Sequence, residues 1–190
     1  ALVAVLSVKY RVGTTIKNYN NEFGLPLTIL GHVSPGKSML GWLKVLLCSP
    51  KDIPEVFVLE YGVDHPGDMT YLCSIAKPNM AVMTRLSPVH VEFFRSFEQL
   101  AEEKAVLLEH VAPDGLVVLN ADDPLVVGLK GHARDPVTTY GFSEAADVRA
   151  QEYHFETRED FSFTPGERFS TIMVEVAFKN HEQLSIELPN

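Results

Sequence analysis

The chain has 190 residues, of which 46% are hydrophobic and 22% charged, so it can bury a core and is not a disordered tail. Its formal net charge of -9 argues against a general nucleic-acid binder, because such proteins need a basic face that displaces counterions from phosphates. No apolar run approaches the roughly 18 residues that span a membrane, and Cys48 and Cys73 form no Cys-x-x-Cys pair, which favours a reducing cytoplasm.

The first quarter of the chain predicts short elements around a polar loop. Residues 1–9 are typical of the tail of a helix, and residues 18–24 form an asparagine-rich loop that ends in glycine. Residues 25–30 are apolar but contain Pro26, which leaves open a helix that begins near the proline or an edge strand. Residues 39–48 predict a helix.

Four continuous apolar runs follow, at residues 56–60, 80–84, 116–120 and 137–142. Continuous rather than alternating runs are typical of strands buried on both faces of a parallel sheet. A capping box at Ser96, with glutamine three residues later, begins a helix between two of the runs. Alternating strands and helices indicate an α/β fold with crossover connections, in which the four runs are neighbouring, mostly parallel strands.

The C-terminal tail has a different pattern. Residues 171–178 and 183–188 predict two strands of an antiparallel hairpin, which we expect to pair outside the parallel sheet as a small antiparallel sheet. We therefore divide the chain into a core, residues 1–147, and an antiparallel subsheet of the same domain, residues 148–190.

One string matches a phosphate-binding loop. Residues 31–38 read Gly-x-x-x-x-Gly-Lys-Ser, in which backbone N–H groups would hold phosphates, Lys37 would reach the terminal phosphates and Ser38 would hold Mg²⁺. Such a loop must follow a buried strand, and Pro26 is awkward in a central strand. The sequence leaves open both a phosphate loop and a plain connection before the helix at Met39.

Polar residues follow two of the apolar runs. Glu60 ends the first run, where α/β sheets bind ligands, and a carboxylate there can hold Mg²⁺; the alternative is a solvated strand-end acid. His90, shortly after the second run, could bind a metal or a phosphate, although a lone loop histidine is more often structural.

Two further candidates lie on the next helix and strand. Lys104 would ordinarily be a solvated charge on a helix. Asn120, at the end of the third run, could contact a nucleotide base or ribose together with Asp122. The alternative is a turn, because Asn, Asp and Pro are turn residues.

Four segments, in this order, resemble the central ATPase domain of the Mur ligases. They are residues 18–28, residues 59–62 with 67–68, residues 90–94 with 96–98, and residues 119–124. The resemblance covers about residues 1–150 and is greatest to the members that add D-alanyl-D-alanine. It implies a mainly parallel sheet of the P-loop NTPase type flanked by helices.

The resemblance also implies an activity in peptidoglycan synthesis. In this family, ATP phosphorylates the carboxylate of a UDP-N-acetylmuramoyl-peptide, and an amino acid or D-alanyl-D-alanine attacks the acyl phosphate to form an amide. Catalysis in such a domain depends on positioning and on charge neutralisation by Mg²⁺ and cations. The implied cofactors are therefore ATP and Mg²⁺.

The resemblance assigns roles to individual residues. Glu60 is similar to the Mg²⁺-binding acid, and His90 to the ligand of a second Mg²⁺. Lys104 falls at the lysine that many members carbamylate to hold that second metal, so His90 and Lys104 are the implied catalytic residues. Asn20 and Asn21 fall in the loop near the phosphates and the UDP-linked substrate.

Asn120 is similar to a nucleotide contact of the family. The family's own phosphate loop precedes the asparagine-rich loop, so the resemblance implies a fragment without that loop and without the N- and C-terminal domains. Two alternatives stay open. One is a self-contained P-loop NTPase or kinase that uses Gly36, Lys37 and Ser38, and the other is a non-catalytic domain with a ligase-like scaffold.

Overall fold

The structure is a computed structural model that describes residues 2–15, 18–48, 52–88, 93–134, 136–159, 168–178 and 183–189. The chain divides into two compact units. The first comprises Ala1–Pro78 and Pro88–His110, and the second comprises Asn79–Ser87 and Val111–Asn190. No helix in these described ranges is long and apolar enough to cross a membrane.

The first unit holds five helices and a two-stranded sheet within its described residues. In chain order these are α1 (Leu2–Leu6), β1 (Val12–Thr14), α2 (Gly24–Ile29), α3 (Met39–Leu47), β2 (Val56–Val58), α4 (Asp68–Ile75) and α5 (Phe97–Glu109). Strands β1 and β2 are parallel, with Val12 opposite Val56. Helices α4 and α5 share a core with the segments that precede them, formed by Val63, Met69, Cys73, Phe94 and Leu100.

Local capping explains where these helices begin. The Ser38 hydroxyl accepts from Gly41 N at 3.0 Å and begins α3, as expected for an N-cap serine. The Ser96 hydroxyl accepts from the N–H of Gln99 at 3.3 Å and begins α5. Pro26 lies in the first turn of α2, where its missing N–H has no helical partner to lose, so the segment is a helix and not an edge strand.

The second unit is built on a six-stranded mixed sheet. Its elements are β3 (Met80–Met83), β4 (Leu116–Asn120), α6 (Pro124–Gly128), a 3-10 turn at Leu129–His132, β5 (Val137–Gly141), β6 (Val148–Glu159), β7 (Arg168–Phe178) and β8 (Gln183–Pro189). The strands lie in the order β3-β4-β5-β6-β7-β8. The first three pairings are parallel and the last two antiparallel, which confirms the α/β fold with antiparallel strands at the C-terminal end.

Two details of the predicted topology are wrong. The run at residues 56–60 does not neighbour the other three, because β2 pairs with β1 in a separate two-stranded sheet. The C-terminal strands do not pair outside the parallel sheet either. Tyr140 and Gly141 at the end of β5 pair in parallel with Val148 and Arg149 of β6. Strand β6 therefore joins the parallel strands to the antiparallel strands β7 and β8 in one sheet. Apolar patterns predict strands but do not fix which strands become neighbours.

Candidate active-site cleft

A cleft of about 480 Å³ in the first unit collects four of the residues singled out by the sequence. It is lined by Asn18, Asn20, Asn21, Glu60, Tyr61, Gly62, Val63, Asp64 and Lys104. Asn20, Asn21, Glu60 and Lys104 come from three separate segments, so the fold itself brings them together. Glu60 and Lys104 face one cleft, as expected for two residues of a single site.

Glu60 is held at the end of β2 by its neighbours. Its side chain is exposed, and its Oε1 accepts from Asn20 Nδ2 at 3.1 Å. The Glu60 N–H donates to Thr15 Oγ1 at 3.2 Å. A second contact fixes the asparagine, because Gly62 N donates to Asn20 O at 2.8 Å. A carboxylate has about four lone-pair sites, so the bond from Asn20 orients Glu60 without exhausting it as a metal ligand.

Gly62 leaves room for the side-chain amide of Asn20 beside Glu60. A Cβ at Gly62 would lie 2.8 Å from Asn20 Cγ and Nδ2, closer than real Cβ contacts allow. The glycine after the strand-end acid therefore lets the asparagine-rich loop lie directly beside Glu60.

Asn21 has a structural role in the same loop. Its Oδ1 accepts from Gly24 N at 2.9 Å and from Phe23 N at 3.3 Å, which satisfies free N–H groups at the start of α2. The Asn21 carbonyl accepts from Leu25 N at 2.9 Å. The amide oxygen of Asn21 thus shapes the loop that presents Asn20.

Lys104 enters the cleft from α5 and is half-buried. Burial lowers the pKa of its ammonium group, because removal from water penalises the charged form. A larger fraction of Lys104 is therefore the neutral amine at a given pH than for an exposed lysine. The neutral amine is the form that can act as a nucleophile.

Lys104→Met is expected to raise stability near neutral pH, because methionine fills a similar volume without a buried charge. In the wild type, the unfolded chain binds the proton more tightly than the folded chain. Unfolding free energy should therefore rise as pH increases from the lowered pKa toward the ordinary lysine value, and this rise should be absent in Lys104→Met. Urea unfolding in metal-free buffer between pH 7 and 10 measures both effects, with the exposed Lys130→Met as control. Identical pH profiles for wild type and Lys104→Met would contradict the burial effect.

Glu103, the residue before Lys104, caps the neighbouring helix α4. Its Oε2 accepts from Gly67 N at 2.9 Å and its Oε1 from Met69 N at 2.8 Å. A carboxylate at a helix N-terminus satisfies free N–H groups and is favoured by the helix dipole. The sequence did not single out Glu103; its only signal is that Gly67, the N-cap position of α4, has no side chain to cap the helix itself.

Asp68 orders the loop before α4. Its Oδ2 accepts from Asp64 N at 2.9 Å and from His65 N at 2.7 Å. Asp68, which belongs to one of the segments that carry the resemblance, is therefore a loop-forming residue, while Asp64 lines the cleft. Glu103 and Asp68 together order the loop that leads from Asp64 into α4.

The oxygen donors of the cleft suit a hard cation. Glu60 and Asp64 offer carboxylates and Asn20 an amide, the ligand types that Mg²⁺ takes alongside several waters. His90 lies outside the described residues. Among the residues that are described, no group of three or more His, Cys, Asp or Glu side chains forms a ready-made metal site. The donor set therefore fits an ion that keeps water and substrate oxygens in its shell.

Asn120 ends β4 in the second unit and uses its side chain within that unit. Its Nδ2 donates to Thr84 O at 2.7 Å and its Oδ1 accepts from Asp122 N at 2.9 Å. An amide has two donors and two lone pairs, so one of each is left for a ligand.

The two acids after Asn120 build turns, as the structural alternative predicted. The Asp122 carboxylate accepts from Phe142 N at 2.8 Å and from Ser143 N at 2.7 Å. Asp123 begins α6 by accepting from Leu125 N at 3.0 Å. Neither side chain is left to read a nucleotide by itself.

Residues 31–38 do not form a phosphate loop. The segment follows helix α2 and not a strand, and its N–H groups are used locally: Gly36 N donates to Ser34 Oγ at 3.3 Å and Ser38 N to Pro35 O at 3.2 Å. Ser38 caps α3, and Lys37 is exposed. The P-loop alternative is wrong, and the string is an exposed connection that begins α3.

Lys37→Ala is expected to leave the affinity of the chain for ATP unchanged, because Lys37 is not part of a phosphate cradle. Calorimetric titration of both forms with ATP in the presence of Mg²⁺ measures this directly. Micromolar binding that disappears in Lys37→Ala would restore the P-loop reading.

Comparison with known proteins identifies the family of the chain and supports its fold. The sequence pattern of the Mur ligase middle domain matches residues 1–185. The chain is 30% identical over 161 residues to the UDP-N-acetylmuramoyl-tripeptide--D-alanyl-D-alanine ligase of Bacillus subtilis, which covers 85% of this chain and 30% of that protein.

Solved structures share the fold. The MurF ligase from Thermotoga maritima in complex with ADP has a TM-score of 0.69 at 24% identity, covering 100% of this chain and 36% of that one. MurF from Acinetobacter baumannii also has a TM-score of 0.69, at 18% identity, covering 99% of this chain and 34% of that one. The chain thus spans about a third of the length of the relatives that it matches. With a family match over nearly its whole length, the chain belongs to the Mur ligase middle-domain family.

Proposed function

We propose that this chain is the middle-domain part of an ATP-dependent ligase that joins D-alanyl-D-alanine, or an amino acid, to a UDP-N-acetylmuramoyl-peptide in peptidoglycan synthesis. The observation that carries the proposal is the cleft in which Glu60, Asn20 and Lys104 meet. The name of the Bacillus subtilis relative supports this substrate pair, and the ADP complex of the Thermotoga maritima relative supports a nucleotide. The reaction uses precursors of the cytoplasm, where we expect the protein to work.

Each of these residues of the cleft would have its own role in such a reaction. Glu60, oriented by Asn20, would hold Mg²⁺, which when bound neutralises charge on phosphate oxygens. Neutralisation lowers the repulsion between the substrate carboxylate and the ATP phosphate that it attacks, and the incoming amine then displaces phosphate from the acyl phosphate. The side-chain amide of Asn20 lines the same cleft.

Lys104 has two possible contributions to the same cleft. The lowered pKa of its amine favours reaction with CO₂, which forms a carbamate and releases a proton; the carbamate would add a carboxylate beside Glu60. This is the family's use of the lysine, with His90 as its partner at a second Mg²⁺. Uncarbamylated Lys104 would instead place a cation near the phosphates.

Asn120 is proposed to contact the nucleotide through the remaining donor and acceptor of its amide. The division of the chain into a core, residues 1–147, and an antiparallel subsheet, residues 148–190, stays a prediction.

The test uses the full-length open reading frame that contains this chain. Phosphate release from ATP should require both UDP-N-acetylmuramoyl-tripeptide and D-alanyl-D-alanine, and the amide product should appear in equal amount. Replacement of the dipeptide by single amino acids decides which amine is used. ATP hydrolysis that ignores both substrates would contradict a ligase. No turnover with any peptide and amine would favour the non-catalytic alternative.

A further inference from the structure

Helix α3 presents an apolar face to solvent. Five of its nine residues are large, apolar and at least half exposed: Met39 (86%), Leu40 (80%), Leu46 (78%), Leu47 (74%) and Leu43 (50%). At about 100° per residue, these five side chains fall within roughly 120° of arc. We refer to these five side chains as the α3 face. An exposed apolar group of this kind is a feature of interaction surfaces, since monomeric proteins rarely expose contiguous apolar patches larger than about a few hundred Å².

One buried residue and two hydrogen bonds hold helix α3 and the loop before it. Val45, on the opposite side, is 8% exposed and anchors the helix to the first unit. Trp42 Nε1 donates to Gly36 O at 3.0 Å, and Ser34 N donates to Tyr19 OH at 3.0 Å, which ties the preceding loop at both ends. The α3 face is therefore part of the folded surface of the first unit.

The segment of the sequence that contains this face has a net charge opposite to that of the chain as a whole. Residues 1–51 contain six Lys and Arg residues and one acid, Glu22, a formal charge of +5. Because the whole chain carries -9, the remainder carries -14. Lys37 lies just before α3 and Lys44 on it, and both side chains are exposed. The exposed apolar face thus belongs to the one strongly basic part of an acidic chain.

We propose that α3 is an interfacial helix that adsorbs to the surface of an anionic lipid bilayer. Aliphatic side chains on one face with lysines beside them are the features of helices that lie in the headgroup region. The acidic remainder of the chain would be repelled by the same surface, which orients α3 toward it. This adsorption is peripheral and involves no membrane-spanning segment.

A second copy of the chain fits the face less well. Pairing two α3 faces would bring Lys37 and Lys44 of one copy against those of the other, and like charges oppose association. A nine-residue helix is about 13 Å long, and five side chains are far fewer than the roughly 20 to 30 residues a side of a stable interface. An anionic lipid surface attracts Lys37 and Lys44 and also buries the apolar side chains of the α3 face.

Trp42 provides a direct probe, because it is the only tryptophan of the chain and lies on α3. The chain is titrated with vesicles of phosphatidylcholine alone and of phosphatidylcholine with phosphatidylglycerol. We expect a blue shift of Trp42 emission and co-sedimentation with the anionic vesicles, both weakened by salt. Leu46→Asp should weaken partitioning by at least about tenfold, because it places a charge in the buried face. Lys44→Glu should weaken it as well.

The matched control is Leu125→Asp, which adds the same charge at an exposed leucine of the second unit and should bind like the wild type. Circular dichroism checks that each variant is folded. Equal binding of Leu46→Asp and wild type would overturn the proposal, as would equal binding to neutral and anionic vesicles. Concentration-dependent dimerisation that Leu46→Asp abolishes, without vesicle binding, would assign the face to a second copy. The full-length protein is tested in the same way, and its failure to bind anionic vesicles would overturn the proposal as well.

Discussion

Glu60→Gln in the full-length protein is expected to lower kcat for amide formation by about a hundred- to a thousandfold, the usual cost of removing one electrostatic group aimed at the transition state. Glutamine keeps the shape of the side chain and an oxygen that can accept from Asn20 Nδ2. It loses the negative charge that would hold Mg²⁺ beside the phosphates. Glu60 is exposed at a strand end, so the free energy of unfolding should change by less than about 0.5 kcal/mol.

Two measurements separate this expectation from a general loss of function. Steady-state rates over a range of Mg²⁺ concentrations should show that excess Mg²⁺ partly restores Glu60→Gln. Glu144→Gln removes an exposed acid of the second unit, outside the cleft, and should leave the rate unchanged. A Glu60→Gln enzyme with normal activity and normal Mg²⁺ dependence would remove Glu60 from the site.

Gly24→Ala is expected to destabilise the chain by about 2–3 kcal/mol, the range of overpacking in a well-packed site. A Cβ at Gly24 would lie 2.3 Å from Tyr19 Cα and 2.4 Å from its carbonyl carbon. Both atoms belong to the backbone, so no rotation of a side chain relieves the clash. Helix α2 or the asparagine-rich loop must move, and Asn20 with it.

Denaturant unfolding followed by Trp42 fluorescence measures this loss. Gly128→Ala is the matched control, because a Cβ there meets no heavy atom within 4 Å and the residue ends a helix. Gly128→Ala should therefore be neutral or slightly stabilising. If Gly24→Ala and Gly128→Ala unfold at the same denaturant concentration, the close approach of α2 to Tyr19 does not exist in solution.

Much of the site was predictable from residue types at strand ends. Glu60 was predicted because a parallel sheet presents its ligands at the carboxyl ends of its strands. Lys104 is a different case, since a lysine on an amphipathic helix is ordinarily solvated and only the family resemblance placed it in the site. The structure gives it the half-buried position in the cleft that the resemblance required.

Other parts of the site depend on contacts that a sequence does not display. Glu103 caps α4 across 34 to 36 residues of chain, and nothing in the residues around it indicates that partner. Asp122 was a candidate for ligand binding, yet its carboxylate accepts from backbone N–H groups, as Asp68 Oδ2 does in the first unit. Acids and amides are equally suited to turns and to ligands, so residue type alone cannot separate the two roles.

The string at residues 31–38 shows the same ambiguity for a motif. Its glycines, lysine and serine match a phosphate loop letter by letter, but the loop's function depends on a strand before it and free N–H groups within it. Pro26 was the informative residue, because a proline is awkward in a central strand. The preceding segment is helix α2, and the serine of the motif became the N-cap of α3.

The strand order of the second unit bears on the order in which its strands pair during folding. In the antiparallel part of the sheet, Glu159 pairs with Arg168, nine residues away, whereas in the parallel part Met80 pairs with Leu116, 36 residues away. Closing the shorter loop costs less chain entropy, so β6 and β7 are expected to pair before β3 and β4 do. A ribosome synthesises those two strands after β3, β4 and β5. The pairing with the lower closure cost is therefore the one whose strands are synthesised later.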